Sequence, residues 1–375
     1  MATPDQPLIS GIFDHINEGK PVRHCWFGED GESYIDIVGV VDYPSIFEQL
    51  FYHLLQRVVF QAIGHRVVHG GMHFSESVLI DASVLEVLQQ LIPLAPLHNS
   101  TNIMGIEMAH RHYPQLPQVA VFDTAFHYRL PAMAQCYALP IEVQQQYQIR
   151  RFGFHGISHQ YLANEVAQQI GRPLNTLKLI TLHLGNGASV AAIREGQCID
   201  TSMGMTPLEG LVMGTRCGDL DAGVVMKLVN EGYDVDALDN LLNHQSGLLG
   251  LCGSNDMRVI EQQVKEGDAS AKQALEIYCY RIKKYIGAYV AALGGLDALV
   301  FSGGVGEHSA EVRRMCCEGL TCLGIKLDAQ RNQQGEANRR IDSANASCTV
   351  WVIASNEALE IARQTQYCLH GKEAP

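Results

Sequence analysis

The sequence predicts an α/β fold, and three observations lead to that class. Short apolar runs rich in β-branched residues alternate with longer amphipathic segments along the chain, which is the pattern of strands connected by helices. The 35 glycines indicate many close backbone turns. With 375 residues, of which 47% are hydrophobic, the chain is long enough for two domains with sizeable cores.

The individual strands and helices are predicted from local patterns. Apolar runs bounded by glycine or polar residues predict strands at 33–41, 64–71, 118–123, 296–304 and 349–355, and a hairpin at 179–196. Periodic apolar faces predict helices at 45–62, 82–92, 101–112, 308–320 and 356–366, a helix after residue 159, and a mostly helical stretch at 219–293. Residues 93–100 are predicted to form a rigid proline-rich connection. We expect a first domain formed by 1–125 plus 356–375 and a second formed by 126–355.

Charge and composition argue against several classes of protein. The net charge is −13 and no long basic run occurs, so neither nucleic acid nor an anionic membrane is an expected partner. No apolar run approaches the length that spans a membrane, and the first residues do not resemble a signal peptide. The eleven cysteines include no C-x-x-C pair, which favours reduced thiols in a cytoplasmic protein.

The hairpin at 179–196 raises the first functional question. Its turn is Leu184-Gly185-Asn186-Gly187, and an Asn-Gly pair between two apolar runs is a strong hairpin pattern. One interpretation is that glycine only supplies the turn dihedrals. The other is that the lack of side-chain bulk lets an anionic group approach the backbone closely. The pattern itself leaves both interpretations open.

Three charged residues lie in a predicted strand, in a glycine-rich loop and at the end of a predicted strand. Arg66 lies in HRVVHGG, Arg216 in TRCGDLDAG, and Asp123 at the end of a buried strand. Each has a structural interpretation: a solvated surface arginine, a turn stabilised by arginine and aspartate, and a turn cap. The functional interpretation is that both guanidinium groups bind a carboxylate or phosphate, and that Asp123 lies at the sheet edge where ligands bind.

Histidines are the next candidates. His155 and His159 are four residues apart in FGFHGISH, but Gly156 follows directly and no third metal ligand is evident, so a metal pair is disfavoured. We interpret His155 as a catalytic or phosphate-binding residue and His159 as a structural one. His98 and His183 are each more often hydrogen-bonded structural residues.

Two further patterns are weak when taken alone. FSGGVGEHS reads as a strand, glycines and a helix, which can hold a nucleotide against the backbone. Glu357 opens the last predicted helix, where a carboxylate suits the helix dipole whatever its function. Taken together, the arginines, acids, histidines and glycine-rich turns are what phosphoryl transfer requires, since that reaction depends on positioning and charge neutralisation. No serine or cysteine nucleophile pattern competes with this interpretation.

The order and spacing of nine motifs resemble the acetate kinase family. The match runs from about residue 8 to residue 367 through HRVVHGG, PLAPLHN, VFDTAFH, FGFHGISH, LHLGNGAS, MGMTPLEGLVMGTRCGDLD, SNDMR, FSGGVGE and NEALEIAR. The resemblance implies two ribonuclease-H-like domains of the acetate and sugar kinase/actin/heat-shock-chaperone superfamily, with a cleft between them. It also implies a homodimer.

The resemblance assigns roles to matching residues. Arg66 and Arg216 resemble the arginines that hold the acyl carboxyl and the moving phosphoryl group, and His155 resembles the residue that stabilises the transition state. Asp123 resembles the acid that orients the substrate or an arginine, and Glu357 the acid linked to Mg²⁺ or Mn²⁺. Further substrate-binding positions are Val68, Leu97, His98, Phe154 and Pro207. Nucleotide-binding positions are His183, Leu184, Gly185, Asn186, Gly187, Asp256, Met257, Arg258, Gly303, Gly304, Val305 and Gly306.

The implied reaction is reversible in-line transfer from ATP to acetate, giving ADP and acetyl phosphate, with Mg²⁺ bridging the nucleotide phosphates. Propionate and butyrate kinases share most of these motifs. Val68 favours a small acyl group, but one methylene contributes only ~1–3 kcal/mol of discrimination. We therefore expect propionate to be a poorer substrate rather than an excluded one.

The sequence departs from the family pattern at its beginning. Acetate kinases open with a strand, an Asn-x-Gly-Ser-Ser-Ser turn and a second strand, and the first residues here match the segment after that hairpin. One hypothesis is a start placed too late in a working acetate kinase. The other is a shortened, weakly active or inactive protein that binds nucleotide or acyl phosphate. Smaller departures are Met72, His308 and Ala222, where Glu, Asn and Pro are common.

Overall fold

The computed structural model describes residues 9–14, 16, 22–28, 33–38, 42–55, 59–333 and 335–371. The chain divides into two compact units, Met1–Ala125 with Glu357–Pro375, and Phe126–Asn356. The strands are β1 (Ile9–Asp14), β2 (Val22–Gly28), β3 (Ser33–Val38), β4 (Ile63–Val67), β5 (Val78–Leu79), β6 (Gln118–Phe122), β7 (Lys178–Leu184), β8 (Ala188–Arg194), β9 (Gln197–Thr201), β10 (Ala298–Ser302), β11 (Arg339–Arg340) and β12 (Thr349–Val352). The helices are α1 (Tyr43–Leu55), α2 (Ala82–Gln90), α3 (Pro96–His112), α4 (Ala132–Gln135), α5 (Ile141–Gln146), α6 (Gly156–Ile170), α7 (Ala222–Asn230), α8 (Val235–His244), α9 (Gly247–Cys252), α10 (Met257–Lys265), α11 (Ala269–Leu293), α12 (Gly303–His308), α13 (Ala310–Cys317), α14 (Ala329–Gln333) and α15 (Glu357–His370).

The first unit contains two three-stranded sheets. In one, β1, β2 and β3 pair antiparallel in that order. In the other, β6 lies between β4, its parallel neighbour, and β5, its antiparallel neighbour. All five residues of β6 are buried, which fits a central strand covered on both faces. Helices α3 and α15 both pack against β4.

Close packing of α15 on β4 explains one glycine. A Cβ added at Gly64 would lie 2.3 Å from Thr365 Oγ1 and 2.7 Å from Ile361 Cγ2, so any larger residue would push the helix away. Side chains alternate between the two faces of a strand, so Arg66 lies on the same face as Gly64. The helix therefore brings its first residue, Glu357, close to the arginine.

The second unit is built on one six-stranded sheet, in the order β11-β12-β10-β7-β8-β9. Strand β10 is parallel to both β7 and β12, whereas β7 and β8 form an antiparallel hairpin. Six of the seven residues of β8 are buried, and the 25-residue helix α11 packs against this strand. The predicted hairpin at 179–196 is confirmed, with Leu184 opposite Ala188 across the turn.

The α/β prediction is confirmed, and several boundaries differ from it. Residues 93–100 are not only a connection, because α3 begins at Pro96. Proline is favoured in the first turn of a helix, since its fixed φ is helical and the missing N–H has no partner there anyway. Five strands have no counterpart among the predicted elements, namely β1, β2, β5, β9 and β11. Residues 39–41 and 56–58 of two predicted elements lie outside the described part.

Two other findings bear on the composition argument. Ten cysteines among the described residues are free thiols, and five of them are buried. In the described ranges, the helices all lack the combination of length and apolar character needed to cross a bilayer.

Candidate active site

In the first unit, Arg66, Asp123 and Glu357 form one charged cluster. The guanidinium of Arg66 donates two hydrogen bonds to Asp123, from Nε to Oδ1 at 3.3 Å and from Nη2 to Oδ2 at 2.5 Å. Its Nε also lies 3.8 Å from Glu357 Oε2. The Asp123 side chain is 1% exposed, whereas that of Arg66 is 41% exposed. The cluster thus presents an accessible guanidinium that is held from behind by a buried carboxylate.

Register and backbone bonding hold this pair in place. Arg66 lies opposite Val121 in the parallel pairing of β4 and β6, and the Asp123 amide donates to Val67 O at 3.0 Å. Asp123 raises the pKa of the Arg66 guanidinium, and Glu357 adds to that effect, against the opposing effect of burial. The arginine is therefore a fixed positive charge with a set orientation.

Side chains of α3 fix the backbone that follows Arg66. The Val68 amide donates to Asn102 Oδ1 at 3.1 Å, and the His69 amide donates to Asn99 Oδ1 at 3.1 Å. Asn99 Nδ2 returns a bond to His69 O at 3.1 Å. The sequence analysis missed both asparagines, although LHNSTN carries two amides three residues apart on one helical face.

The other predicted residues of this unit occupy the start of α3 and the end of β4. Val68 is buried, and His98 is exposed in the first turn of α3. Leu97 precedes it on the same helix, and its side chain lies outside the described residues.

In the second unit, the tip of the β7–β8 hairpin adjoins a loop that carries Arg216. Gly185 N donates to Gly187 O at 2.9 Å and closes the turn, and Gly214 N donates to Asn186 O at 2.9 Å. A Cβ added at Gly187 would lie 3.4 Å from His155 Nε2 and 3.7 Å from Arg216 Nη1. The structure therefore gathers the glycine turn, a histidine and an arginine that are distant in sequence.

Arg216 differs from Arg66 in its surroundings. It is half-buried, Nη1 donates to Pro207 O at 3.4 Å, and the described part of the chain offers its guanidinium no carboxylate partner. Burial lowers its pKa, since a charged group loses hydration there. Because the Arg216 guanidinium has no described carboxylate to balance its charge and lies beside the glycine turn of the hairpin, it is suited to binding an anion.

Hydrogen bonds and an ion pair fix the loop that carries Arg216, and in the ion pair Arg281 Nη1 lies 3.5 Å from Asp219 Oδ2. Tyr285 Oη donates to both carboxylate oxygens of Asp219, at 2.9 and 3.1 Å, and Arg281 Nη1 donates to Gly210 O at 2.9 Å. Asp219 also accepts from Gly210 N at 2.9 Å. These contacts hold the two ends of the segment Gly210–Asp219 together.

His155 is held at the start of α6. Its backbone is left-handed, with φ +56°, and its ring lies 4.4 Å from the ring of His183. His155 Nδ1 and Ser189 Oγ are 2.9 Å apart. His159 is fully buried, and both of its ring nitrogens are hydrogen-bonded to hydroxyls, Nδ1 to Thr181 at 2.7 Å and Nε2 to Ser189 at 2.8 Å. Ser189 was missed by the sequence analysis because nothing in its local pattern marks it.

Of the predicted nucleotide-binding residues, those outside the β7–β8 hairpin lie at two helix starts. Asp256 caps α10, and Arg258 donates to it from Nε and Nη2 at 3.0 and 2.7 Å, with Met257 buried between them. Strand β10 runs into α12, where Gly303 has φ +76° and a Cβ would lie 2.7 Å from Leu184 O. Position 303 therefore requires glycine on two grounds. Gly303, Gly304, Val305 and Gly306 form the first turn of α12, and this turn adjoins Leu184 at the end of β7.

A buried arginine forms hydrogen bonds with the backbone of this turn. No local sequence pattern predicted this arginine as a site residue. Arg313 is 1% exposed and donates from Nη1 to Gly306 O at 2.8 Å and to Glu307 O at 2.9 Å. Burial lowers its pKa to about 10. Glu307 in turn accepts from Gly303 N at 3.0 Å, so the turn is bonded on both sides.

The residues predicted to surround a substrate methyl group occupy both units. Val68 belongs to the first unit, whereas Phe154 is buried and Pro207 half-buried in the second. The residues predicted to contact metal and phosphate are likewise divided, with Glu357 in the first unit and the hairpin turn in the second.

Comparisons with known proteins agree with the family resemblance of the nine motifs. The model of the acetokinase family matches residues 1–363. The acetate kinase of Sulfurovum sp. (strain NBC37-1) is 54% identical over 308 residues, which is 81% of this chain and 78% of that protein. The solved propionate kinase of Francisella tularensis subsp. tularensis SCHU S4 has a TM-score of 0.90 at 42% identity, covering 97% of this chain and 94% of that one. The acetate kinase of Porphyromonas gingivalis has a TM-score of 0.88 at 38% identity, covering 96% and 93%.

These structural neighbours share the acetate and sugar kinase/actin fold, and the predicted superfamily is thereby confirmed. The family match spans nearly all of the chain, and it includes the segments that carry both arginines, His155 and the glycine turns. The protein belongs to the acetokinase family.

Proposed function

We propose that this protein transfers the γ-phosphoryl group of ATP to acetate, giving ADP and acetyl phosphate, and catalyses the reverse reaction. Relatives named acetate kinase support this proposal. The observation that carries it is the guanidinium of Arg216, beside a glycine turn and His155, with no carboxylate partner among the described residues. That arrangement is suited to binding the γ-phosphoryl group, whose negative charge must be neutralised during transfer.

In the proposed reaction, a carboxylate oxygen of acetate attacks the γ-phosphorus. The new P–O bond forms as the bond between this phosphorus and the β–γ bridging oxygen breaks, and ADP leaves with that electron pair. Little covalent work falls to the protein, so its residues act by positioning and by electrostatic stabilisation. No side chain is phosphorylated on this route.

We assign the acyl carboxylate to Arg66 and the moving phosphoryl group to Arg216. The fork of Arg66 is oriented by Asp123, and its exposed side remains available to a carboxylate. In the second unit, Arg216 and His155 flank Gly187, where they can donate to phosphoryl oxygens. The backbone of the hairpin turn and of the Gly303–Gly306 turn is assigned to the nucleotide phosphates, and Asp256–Arg258 to its adenosine end.

Mg²⁺, or Mn²⁺, belongs to this proposal, with Glu357 as its protein ligand. Magnesium is often bound through one or two carboxylates together with substrate phosphates and water, and Glu357 is a partly exposed carboxylate of that kind. When bound, the ion neutralises charge on the nucleotide phosphates. Arg66 lies near Glu357 and limits the negative charge there when no metal is bound.

The test is formation of acetyl phosphate by the purified full chain with ATP, MgCl₂ and acetate. Hydroxylamine traps the product as acetohydroxamate, which is measured by its iron complex. We expect product that requires acetate and is lost in Arg216→Ala. If the folded chain forms no acetohydroxamate above the acetate-free control, the proposed activity is wrong.

Propionate is the second candidate substrate, because the Francisella structure with 42% identity is named a propionate kinase. The two acids differ by one methylene, which a pocket discriminates by about 10–200-fold at most. The ratio of kcat/KM for acetate and propionate decides between them. A ratio above 1 supports acetate, and a ratio below 1 assigns the enzyme to propionate.

We also propose a cytoplasmic homodimer. Helix α7 exposes Met226 at 65% and Val229 at 49%, which lie three residues apart on one face, and such an apolar face is suited to burial against a second copy. Its substrate ATP is an intracellular nucleotide. Light scattering after gel filtration should give twice the mass of 41.3 kDa, and Met226→Glu should lower it. A monomeric wild-type protein would contradict the dimer.

A further inference from the structure

The backbone that leads into His155 adopts an unfavourable conformation. Gly153 has φ +73° and His155 has φ +56°, so both lie in the left-handed region. Glycine adopts that region readily, whereas a residue with a Cβ is strained there and keeps the conformation only where its surroundings hold it. The neighbours of this segment must therefore hold the peptide units that precede His155.

Backbone hydrogen bonds hold the first part of the segment Phe152–His155. The amides of Phe152 and Gly153 both donate to Gly204 O, at 3.0 and 3.1 Å. These two bonds end before the peptide bond between Phe154 and His155. The orientation of that peptide unit is coupled to φ of His155, and it sets the direction in which the His155 side chain leaves the backbone.

His127 contacts this segment through a hydrogen bond and through packing. Its Nε2 lies 3.0 Å from Phe154 O, the carbonyl of the peptide unit that precedes His155. A Cβ added at Gly153 would lie 2.7 Å from both Cγ and Cδ2 of the His127 ring, so the ring lies directly against the backbone. His127 is 0% exposed. The buried ring thus supports the two peptide units that lead into His155.

The positions of the hydrogens on His127 follow from its partners. A carbonyl oxygen can only accept, so Nε2 must carry the hydrogen of the bond to Phe154 O. Burial lowers the pKa of His127 to about 4, so the ring is neutral at pH 7 and Nδ1 has no hydrogen. Nδ1 lies 3.1 Å from Cys198 Sγ, and burial raises the pKa of that thiol, which keeps its hydrogen. The same thiol also lies 3.2 Å from Asp200 O.

We propose that His127 is a positioning residue, which donates from Nε2 to Phe154 O and thereby holds His155 in its left-handed conformation, with the ring beside Gly187 and Arg216. This proposal rests on the function proposed above, because His155 is the residue assigned there to the phosphoryl group. In this scheme His127 touches neither substrate nor nucleotide. It acts through the backbone of His155 alone.

The first test measures the tautomer of His127 in the wild-type chain. The full chain is labelled with ¹³C,¹⁵N-histidine, and the ring signals of His127 are assigned by their loss in His127→Gln. At pH 7 without ligand we expect a protonated Nε2 and an unprotonated Nδ1. A ring that carries its hydrogen on Nδ1, or a charged ring, would overturn the proposal.

The second test asks whether the donated hydrogen holds the backbone. Glutamine places an amide nitrogen, and methionine a methyl group, as many bonds from Cβ as Nε2 is in histidine. The Cα chemical shift of His155 reports its backbone conformation, and its signal is assigned by its loss in His155→Gln. We expect this shift to change in His127→Met and to stay near the wild-type value in His127→Gln. An unchanged shift in His127→Met would overturn the proposal.

The third test measures the consequence for the reaction. A displacement of about 1 Å in a residue that contacts the reacting group can reduce the rate by about 100-fold. We expect kcat of His127→Met to fall by about that factor with little change in KM for acetate or ATP, because the ground-state contacts remain. His127→Gln should recover most of the lost kcat. Equal kcat in the two variants would overturn the role of the donated hydrogen.

Val350→Ala is the control for lost stability. Val350 is also 0% exposed, and it lies on β12, whereas Cys198, the neighbour of His127, lies on the opposite edge strand β9. We expect Val350→Ala to lower the urea midpoint and to keep the wild-type kcat at a temperature where the chain is folded. If Val350→Ala and His127→Met lower kcat equally at equal stability, His127 has no positioning role.

The outcomes distinguish this proposal from the proposed function. If the wild-type chain makes no acyl phosphate, the proposed function fails, whereas the His127 tautomer and the His155 Cα shift still report the contact. If the wild-type chain is active and His127→Met keeps full kcat, the function stands and the positioning role fails.

Discussion

Arg66 and Asp123 join the ends of two parallel strands through a two-point contact, with Nε 3.3 Å from Oδ1 and Nη2 2.5 Å from Oδ2. The carboxylate is buried and the guanidinium is partly open, so the pair has one protected and one accessible side. A single point charge could not reproduce this orientation, because only a planar fork matches both carboxylate oxygens.

Arg66→Lys should therefore reduce activity while the fold survives. The ammonium keeps the charge but cannot make both bonds to Asp123, so we expect kcat/KM for acetate to fall by about 100-fold. Arg66→Ala should also destabilise the chain by about 1–3 kcal/mol, because it leaves the Asp123 carboxylate buried without its main partner. Steady-state kinetics and urea unfolding measure the two effects. Wild-type kcat/KM in Arg66→Lys would contradict the assigned role.

Arg216→Ala should separate activity from stability. The guanidinium is half-buried and has no described carboxylate partner, so its removal relieves a desolvated charge. We expect kcat to fall by about 10³–10⁵-fold, in line with arginines that neutralise a transferring phosphoryl group. The urea midpoint should stay equal or rise. A large loss of stability, with activity lost only in proportion to unfolding, would argue for a structural role instead.

The glycines at the start of α12 offer a matched pair of substitutions. Gly303→Ala meets a backbone with φ +76° and a carbonyl 2.7 Å away, whereas a Cβ at Gly304 meets nothing within 4 Å. We expect Gly303→Ala to lower the free energy of unfolding by about 1–3 kcal/mol and Gly304→Ala to change it by less than about 1. Thermal or urea unfolding of both variants checks this. Equal stabilities would mean that the turn can relax.

The buried histidines predict acid sensitivity of the fold. Burial lowers the pKa of His127 to about 4, from about 6.5 when unfolded. Between these two values the unfolded chain binds more protons, so stability is present above pH 6.5 and is lost as the pH falls toward 4, by up to about 1.4 kcal/mol per pH unit. Urea unfolding at several pH values should show this slope, with His127→Gln reducing it and the exposed His308→Gln leaving it unchanged. An equal slope in His127→Gln would contradict the assignment.

Sequence patterns predicted the hairpin and singled out both arginines because these depend on local signals, namely Asn-Gly between β-rich runs and an arginine within a few residues of glycines. Local patterns did not predict that Arg66 binds Asp123, since 57 residues separate them and only strand pairing brings them together. The family resemblance alone implied that Asp123 orients the substrate or an arginine. Ser189 and Arg313 were missed for a similar reason. Ser189 contacts His155, which is 34 residues away, and Arg313 bonds backbone carbonyls 7 and 6 residues away, and a serine in a strand or an arginine in a helix carries no local mark of such partners. The start of α3 at Pro96 was not predicted for a different reason. Proline is typical both of connections and of helix starts, so residues 93–100 were interpreted as a connection.

The carbonyl of Asn186 accepts from Gly214 N, and its side-chain oxygen accepts from Asn255 Nδ2 at 3.3 Å. Asn186 thus connects three segments of the second unit through hydrogen bonds: the hairpin tip, the loop that carries Arg216 and the residues just before α10. We expect a molecule that binds the hairpin tip to restrain the backbone of the loop as well, through the bond from Gly214 N to Asn186 O. The rate at which the Gly214 amide hydrogen exchanges with deuterated solvent should therefore report whether a molecule is bound at the hairpin tip.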